Sequence, residues 1–208
     1  MMRTGLTYSI DSKNINTLTG NPLLSVDDIA LPGKHNLSNM LCAATSSSLM
    51  GISDKHIANV MKTFTGVEHR LENFAIIKDV TYINDSKATN LDSVSVAIQS
   101  FNKPVVLILG GRNKGADFRL LLPHIKSSHV RDIISYGEAG GQISTAIGDA
   151  VRSVQVTDLN SAVKTAQRLA APGDVVLLSP GCASFDQFEN FEERGQYFKT
   201  KVMEMMVA

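Results

Sequence analysis

The sequence predicts an α/β fold from residue 71 onward: a mostly parallel sheet with helices on both faces. Three observations predict it. Apolar β-branched runs alternate with helix-like patterns, in the order of repeated strand-helix-strand units. The runs "PVVLILG" and "DVVLLSP" have continuous apolar centres, as strands covered on both faces must. Three polar segments, "NDSKATN", "GGRNKGADF" and "SPGCASFDQFENF", follow strand candidates, and the carboxyl ends of strands are where open α/β sheets bind ligands.

In chain order, "LTYSIDSKNINTLTGNPLLSVDDIALPG" reads as short antiparallel strands with "TGNP" as a turn. Helices are expected over His35 to Leu49 and Ser53 to Phe64, with Gly51 and Gly66 as stops and Ser53 as a cap. Two helices and a few strands bury little, so residues 1–70 read as the tail of a larger domain. The junction is placed in "GVEHRLE", which gives units 1–70 and 71–208. Strands are then expected at Phe74 to Asn84, Val105 to Gly110, Val130 to Tyr136, Val151 to Thr157 and Asp174 to Ser179. The helices between and after them are Leu91 to Phe101, Phe118 to Ser127, Glu138 to Ile147, Leu159 to Ala170 and Gln187 to Met205. Right-handed crossovers put the carboxyl ends of the parallel strands on one rim.

Composition narrows the function. Twenty basic and twenty acidic side chains leave no basic field for nucleic acid or a membrane surface. Cys42 and Cys182 lack CxxC spacing and read as free thiols of a reducing compartment. The opening "MMRTGLTYSIDSKN" has no signal-peptide core, and no run approaches the roughly twenty apolar residues of a membrane helix. A cytoplasmic protein is expected. His56, His124 and His129 show no metal-ligand spacing, and no metal site is expected in the chain.

In "NDSKATN", Asp85, Ser86 and Lys87 end a strand without Gly or Pro, and Thr89 or Asn90 can cap the next helix. A lysine just before a helix start meets the positive end of the dipole, unfavourable by about 0.3 to 1 kcal/mol unless an anion is present. Ligand anchor and solvated loop both remain open for it. "GGRNKGADF" pairs glycines with Arg112 and Lys114, and its Asp117 can cap the helix expected from Phe118; it is neither a GxGxxG turn nor a Walker A loop. In "SPGCASFDQFENFEERG", Ser184 is the candidate for ligand contact, and Phe185, Phe188 and Phe191 recur at a spacing that suits a helix face. Asn36 and Asn39 share one face of a helix start; Asn36 can cap, and the pair also suits a purine or ribose. Arg70 at the junction can meet a phosphate bidentately, while His69 is given no catalytic role. No nucleophile and base pair stands out, which favours positioning and charge stabilisation over covalent catalysis.

Taken in order, "GKHNLSN", "HRLE", "NDSKATN", "LGGRNKGADF" and "LSPGCASFDQFENFEERG" resemble the carboxy-terminal portion of the Mur ligase family. "DSKATN" points to its D-glutamate-adding branch rather than the sister ligases or folylpolyglutamate synthetase. The resemblance implies a Rossmann-like carboxy-terminal domain over 71–208, preceded by a remnant of the central ATPase domain over 1–70. It implies an ADP-forming ligase that uses ATP to make an acyl-phosphate on UDP-N-acetylmuramoyl-L-alanine, which the amino group of D-glutamate then attacks. Asn36, Asn39, Arg70, Asp85 and Lys87 would lie around ATP, with Lys87 the catalytic residue facing its phosphates. Thr89, Lys114, Ser184, Phe185 and Phe191 would hold D-glutamate. The family's glycine-rich phosphate loop, its Mg2+ ligands and its carbamylated lysine find no counterpart motif in these residues, so a monomeric piece that does not ligate alone is expected. The alternatives are a non-catalytic binding module for a nucleotide or acidic amino acid, and another Mur or folylpolyglutamate-type ligase.

Overall fold

Val80–Asn84 and the segment before it decide how the large sheet begins. The sequence reads one strand over Phe74 to Asn84; the computed structural model has two, β4 (Glu72–Ile77) and β5 (Val80–Asn84), paired antiparallel with Ile77 opposite Val80. The two-residue loop between them is Lys78-Asp79, with φ of 51° and 61°. A tight hairpin needs both loop residues left-handed, and Asn-Gly or Asp-Gly is the usual sign. Lys-Asp meets the geometry without that sign.

The structure describes residues 7–11, 13–31 and 34–205, and the chain falls into two compact units divided between Gly66 and Val67. In the first unit, β1 (Ser9–Ile10), β2 (Asn14–Asn16) and β3 (Pro22–Ser25) form a small antiparallel sheet. Asp11 holds the β1–β2 turn by accepting from the amides of Lys13 and Asn14 at 2.8 and 2.7 Å. Helices α1 (Lys34–Leu49) and α2 (Asp54–Thr63) complete the unit. The core is Tyr8, Ile15, Leu24, Ala44, Ile57 and Met61. Ser53 occupies the N-cap position of α2, yet its hydroxyl bonds to His56 Nδ1 at 2.7 Å rather than to a helix amide.

The second unit continues with α3 (Leu91–Ile98), β6 (Val105–Gly110), α4 (Leu122–Lys126), β7 (Val130–Tyr136), α5 (Gly140–Ile147), β8 (Arg152–Gln155), α6 (Leu159–Leu169), β9 (Val175–Gly181) and α7 (Phe191–Glu204). Its sheet has the order β4-β5-β9-β6-β7-β8, parallel except for β4. Every residue of β6 and β9 is buried, which accounts for the unbroken apolar sequence of β6 and of Val175 to Leu178 in β9. Alternate side chains serve opposite layers. Val105, Leu107 and Leu109 pack with α3, α5 and the helical stretch 118–126, while Val106 and Ile108 pack with α6 and α7.

Several ends differ from the expectation for local reasons. The expected helix Phe118 to Ser127 opens as a 3-10 turn, Phe118–Leu121, capped by Asp117 through the Arg119 amide at 3.0 Å, and Pro123 lies in the first turn of α4. The last helix starts at Phe191, not Gln187. Asn190 accepts from the Glu193 amide at 2.7 Å, and Glu193 accepts from the amide of Glu189, just ahead of the cap, at 2.7 Å; together they fix the start. Phe185 and Phe188 therefore lie in a turn ahead of the helix, and the three-residue spacing of the phenylalanines is not a helix face.

Because β5, β9 and β6 are neighbours, the three polar segments beyond their carboxyl ends emerge side by side. The chain leaving β5 enters α3 on one face of the sheet, and the chain leaving β9 enters α7 on the other. Diverging connections of this kind open a crevice at the carboxyl ends of the strands.

Candidate functional site

The β5 exit is built on buried polar side chains. The Asn84 amide nitrogen lies 2.9 Å from His69 Nδ1 and 2.9 Å from Glu72 Oε2, and Asn84 Oδ1 accepts from the Ser86 amide at 3.2 Å. Asp85 is 5% exposed; its carboxylate accepts from the Leu71 amide at 3.2 Å and the Ser179 hydroxyl at 2.8 Å. Burial pushes the Asp85 carboxyl up to about 6, against the opposing pull of Ser179, the Leu71 amide and the nearby charge of Arg70. The Lys87 amide donates to the His69 carbonyl at 3.0 Å, and His69 itself has φ of 65°. A β-carbon on Gly195 of α7 would collide with the His69 ring, so only glycine fits there.

Arg194, also on α7, ties this exit to the one after β9. It is fully buried and donates from Nε to Ser86 Oγ at 2.9 Å, from Nη2 to Ser86 O at 2.8 Å and from Nη1 to Cys182 O at 3.1 Å. All three acceptors are uncharged. Ser86 donates its own proton to the Phe191 carbonyl at 2.7 Å. The exposed Lys87 ammonium sits 4.8 Å from the centroid of the Phe191 ring, whose edge-to-face neighbour is His69 at 6.1 Å. Burial pushes the Cys182 thiol up to about 12, opposed by Arg194, so this cysteine is a packing group rather than a nucleophile.

The β6 exit is stitched to the same loop. Arg112 and Ala183 exchange backbone bonds at 2.9 and 3.0 Å, and a β-carbon on Gly111 (φ 122°) would strike the Ala183 carbonyl. Arg112, one of the two cations of this segment, is engaged by Glu138 through two bonds of 2.9 and 2.8 Å. Asn113 holds Gln142 Oε1 at 2.8 Å and closes on Ala116. Lys114 stands exposed between these anchored neighbours. Ser184 is 2% exposed, and its carbonyl accepts from the amides of Gln187 and Phe188, while Phe185 is 61% exposed.

Of the residues singled out in the sequence, Asp85, Lys87, Lys114, Ser184 and Phe185 thus lie on three loops joined by hydrogen bonds, and Phe191 opens α7 beside them. Thr89 is half-buried beside them, on a segment bonded to β9 through Gly181 N and Ala88 O at 2.9 Å; the cap of α3 is Asn90, which accepts from Ser93 at 2.9 Å. Arg70 is exposed, two residues before the start of β4. Asn36 and Asn39 lie on α1 of the first unit, inside a helix that already starts at Lys34, so Asn36 is not its cap. Glu68, His69 and Glu72 cluster closely enough to suit a metal, but the Lys199 ammonium bonds both carboxylates at 2.9 and 2.6 Å and is the cation of that cluster. Arg194, Asn84 and Ser179 carry the framework and escape a reading of the sequence, since nothing local marks a buried arginine whose partners are 108 and 12 positions away.

The family description "Mur ligase, glutamate ligase domain" matches residues 69–182, from the His69 turn to the end of β9. The chain belongs to the Mur ligase family. Among its curated relatives, the UDP-N-acetylmuramoylalanine-D-glutamate ligase of Lactobacillus delbrueckii subsp. bulgaricus is 46% identical over 185 residues, 88% of this chain and 40% of the relative. The enzyme of that name from Salinibacter ruber is 44% identical over 181 residues, 86% and 39% of the two chains. The chain spans about two fifths of the length of these Mur ligases. Among solved structures, a pseudomurein peptide ligase type C from Methanothermus fervidus aligns with a TM-score of 0.64 at 16% identity, over 98% of this chain and 42% of that one. E. coli FolC in complex with DHPP and ADP gives 0.62 at 18%, over 97% and 46%. These two share the fold, an α/β sheet with helices on both faces.

Proposed function

We propose that the chain is the carboxy-terminal part of an ATP-dependent ligase of peptidoglycan synthesis, which adds D-glutamate to UDP-N-acetylmuramoyl-L-alanine through an acyl-phosphate. The single observation that carries this is the 46% identity to ligases of that name over 88% of the chain. The joined loops after β5, β9 and β6 are compatible with it, and a nucleotide is in keeping with FolC, whose complex contains ADP. In this reading the first unit, expected to reach residue 70 and ending at Gly66, belongs to the central ATPase domain, and the second unit is the carboxy-terminal domain; the protein acts in the cytoplasm as a monomer.

The residue roles rest on the family resemblance, to which charge and exposure add support for Lys87, Lys114 and Arg70. Lys87 presents an exposed ammonium to the ATP phosphates, with Asp85 and Arg70 as further nucleotide contacts. Lys114 meets a carboxylate of D-glutamate by a charge-assisted bond of roughly 1.5 to 3 kcal/mol, with Thr89, Ser184, Phe185 and Phe191 completing that subsite. Mg2+ neutralises phosphate charge when bound, and the residues of this chain are not assigned as its ligands. Without a phosphate loop among its 208 residues, the polypeptide alone is expected not to turn over.

Calorimetric titration of the chain with ATP and with D-glutamate, and then an ADP-release assay after adding the amino-terminal part of a relative, tests the reading. Rescued turnover supports it. Tight binding without rescue makes the chain a binding module, and turnover by the chain alone refutes the proposed division of labour.

A further inference from the structure

Lys87 and Phe191 stand 104 positions apart in sequence and belong to different proposed subsites, one for phosphates and one for an amino acid. In the structure they touch, with the ammonium 4.8 Å from the ring centroid. We infer that Phe191 is a positioning residue for Lys87: its ring holds one side of the ammonium, so that the remaining N–H groups are turned to a polyphosphate on the other side. This rests on the proposed nucleotide reading and deepens it.

The argument is one of freedom lost and retained. An exposed lysine has four rotatable bonds, and immobilising it on a ligand sacrifices that freedom unless the side chain is already held. Among the described residues no carboxylate pairs with Lys87, and an anionic partner would have cancelled the charge a phosphate needs. An aromatic face restrains the ammonium while leaving the full charge in place. The ring is itself fixed independently of the lysine. It lies edge-on to His69 at 6.1 Å, and its backbone carbonyl accepts from Ser86 Oγ, which in turn accepts from the buried Arg194. Because the hydrogen-bonded anchors use the main chain of residue 191, replacing the ring leaves the loop tied.

The test is a calorimetric comparison of inorganic tripolyphosphate binding to the whole chain as wild type, Phe191→Leu, Phe191→Tyr, Lys87→Met and the Lys87→Met/Phe191→Leu double variant. Phe191→Leu is expected to weaken binding by about two- to five-fold, the range set by an exposed cation–π contact. Phe191→Tyr, which keeps an aromatic face, is expected to match wild type. On the Lys87→Met background the loss of the ring should have no further effect. The Lys87 ε-proton signals should be ring-shifted in wild type and move to their ordinary position in Phe191→Leu. Equal affinity in wild type and Phe191→Leu, or an equal loss with Lys87 absent, overturns the inference while the anion reading stands. Equal heats for wild type and Lys87→Met, including no heat in either, remove the anion reading and the inference with it.

Discussion

Asp85→Asn should stabilise the second unit at neutral pH, and the gain should grow as pH rises. The Asp85 carboxyl is raised from 3.8 to about 6, with burial as the leading cause. A folded-state pKa above the unfolded value means that the native state binds the extra proton between those two limits. Stability is therefore lost, not gained, as pH rises through this window. A shift of about 2 units corresponds to about 3 kcal/mol of destabilisation once both states are ionised. About 1 kcal/mol of it is already present at pH 4.5 and nearly all by pH 7.5. Asparagine can keep the geometry: its oxygen can accept from the Leu71 amide and its nitrogen can donate to Ser179 Oγ. Urea unfolding of both proteins at the two pH values reads the difference, which should widen by about 2 kcal/mol in favour of the variant. Taking the difference removes the surface carboxylates whose pKa is lowered, such as Glu138 beside Arg112, because both proteins share them. A difference that stays constant or shrinks toward pH 7.5 refutes the assignment of a costly buried charge. The same variant should lose nucleotide affinity if Asp85 serves the proposed site, a case of stability given up for function.

Arg194→Met should lower stability by about 3 to 5 kcal/mol in urea unfolding, because Ser86 O and Cys182 O lose a buried donor; a loss below about 1 kcal/mol would show the clamp to be dispensable. Gly195→Ala, which inside a helix is ordinarily favourable, should instead destabilise by about 1 to 3 kcal/mol by driving a methyl group into His69. Lys199→Met should let the lowered carboxyl pKa of Glu68 climb back toward its ordinary value in an NMR titration, since Lys199 is the leading cause of the lowering. Iodoacetamide at pH 8 should label the exposed Cys42 and spare the buried Cys182, read by mass spectrometry of the native protein.

Strands β6 and β7 coincide end to end with the runs Val105 to Gly110 and Val130 to Tyr136; β6 is packed on both faces and apolar at every position, so its polar flanks mark its limits, whereas β7 carries Arg131 and Asp132 near its start and is buried from Asp132 onward. The β4–β5 turn is illegible in the sequence because Lys78 and Asp79 adopt left-handed backbone without the glycine that normally advertises it. The start of α7 misleads for the opposite reason: Phe185, Phe188 and Phe191 imitate a helix face, and the cap formed by Asn190, with Glu193 bonding the Glu189 amide, lies further along. The position of the polar loops on one rim can be argued from alternation alone. Their adjacency depends on β9 lying between β5 and β6, and the fate of Arg112 depends on Glu138, 26 residues on. Periodicity reports what a residue faces, whereas such pairings are fixed only by the assembled sheet.

That place of β9 bears on how the unit is made. The last strand in the sequence fills an interior gap, so until Val175–Gly181 leaves the ribosome β5 and β6 have no neighbour between them, and each presents an unpaired edge. The half-made sheet is then open to wrong partners, and its closure must wait for contacts between residues some 70 to 95 positions apart. Leu177 and Leu178 then complete the two hydrophobic layers together, one on each face of the sheet.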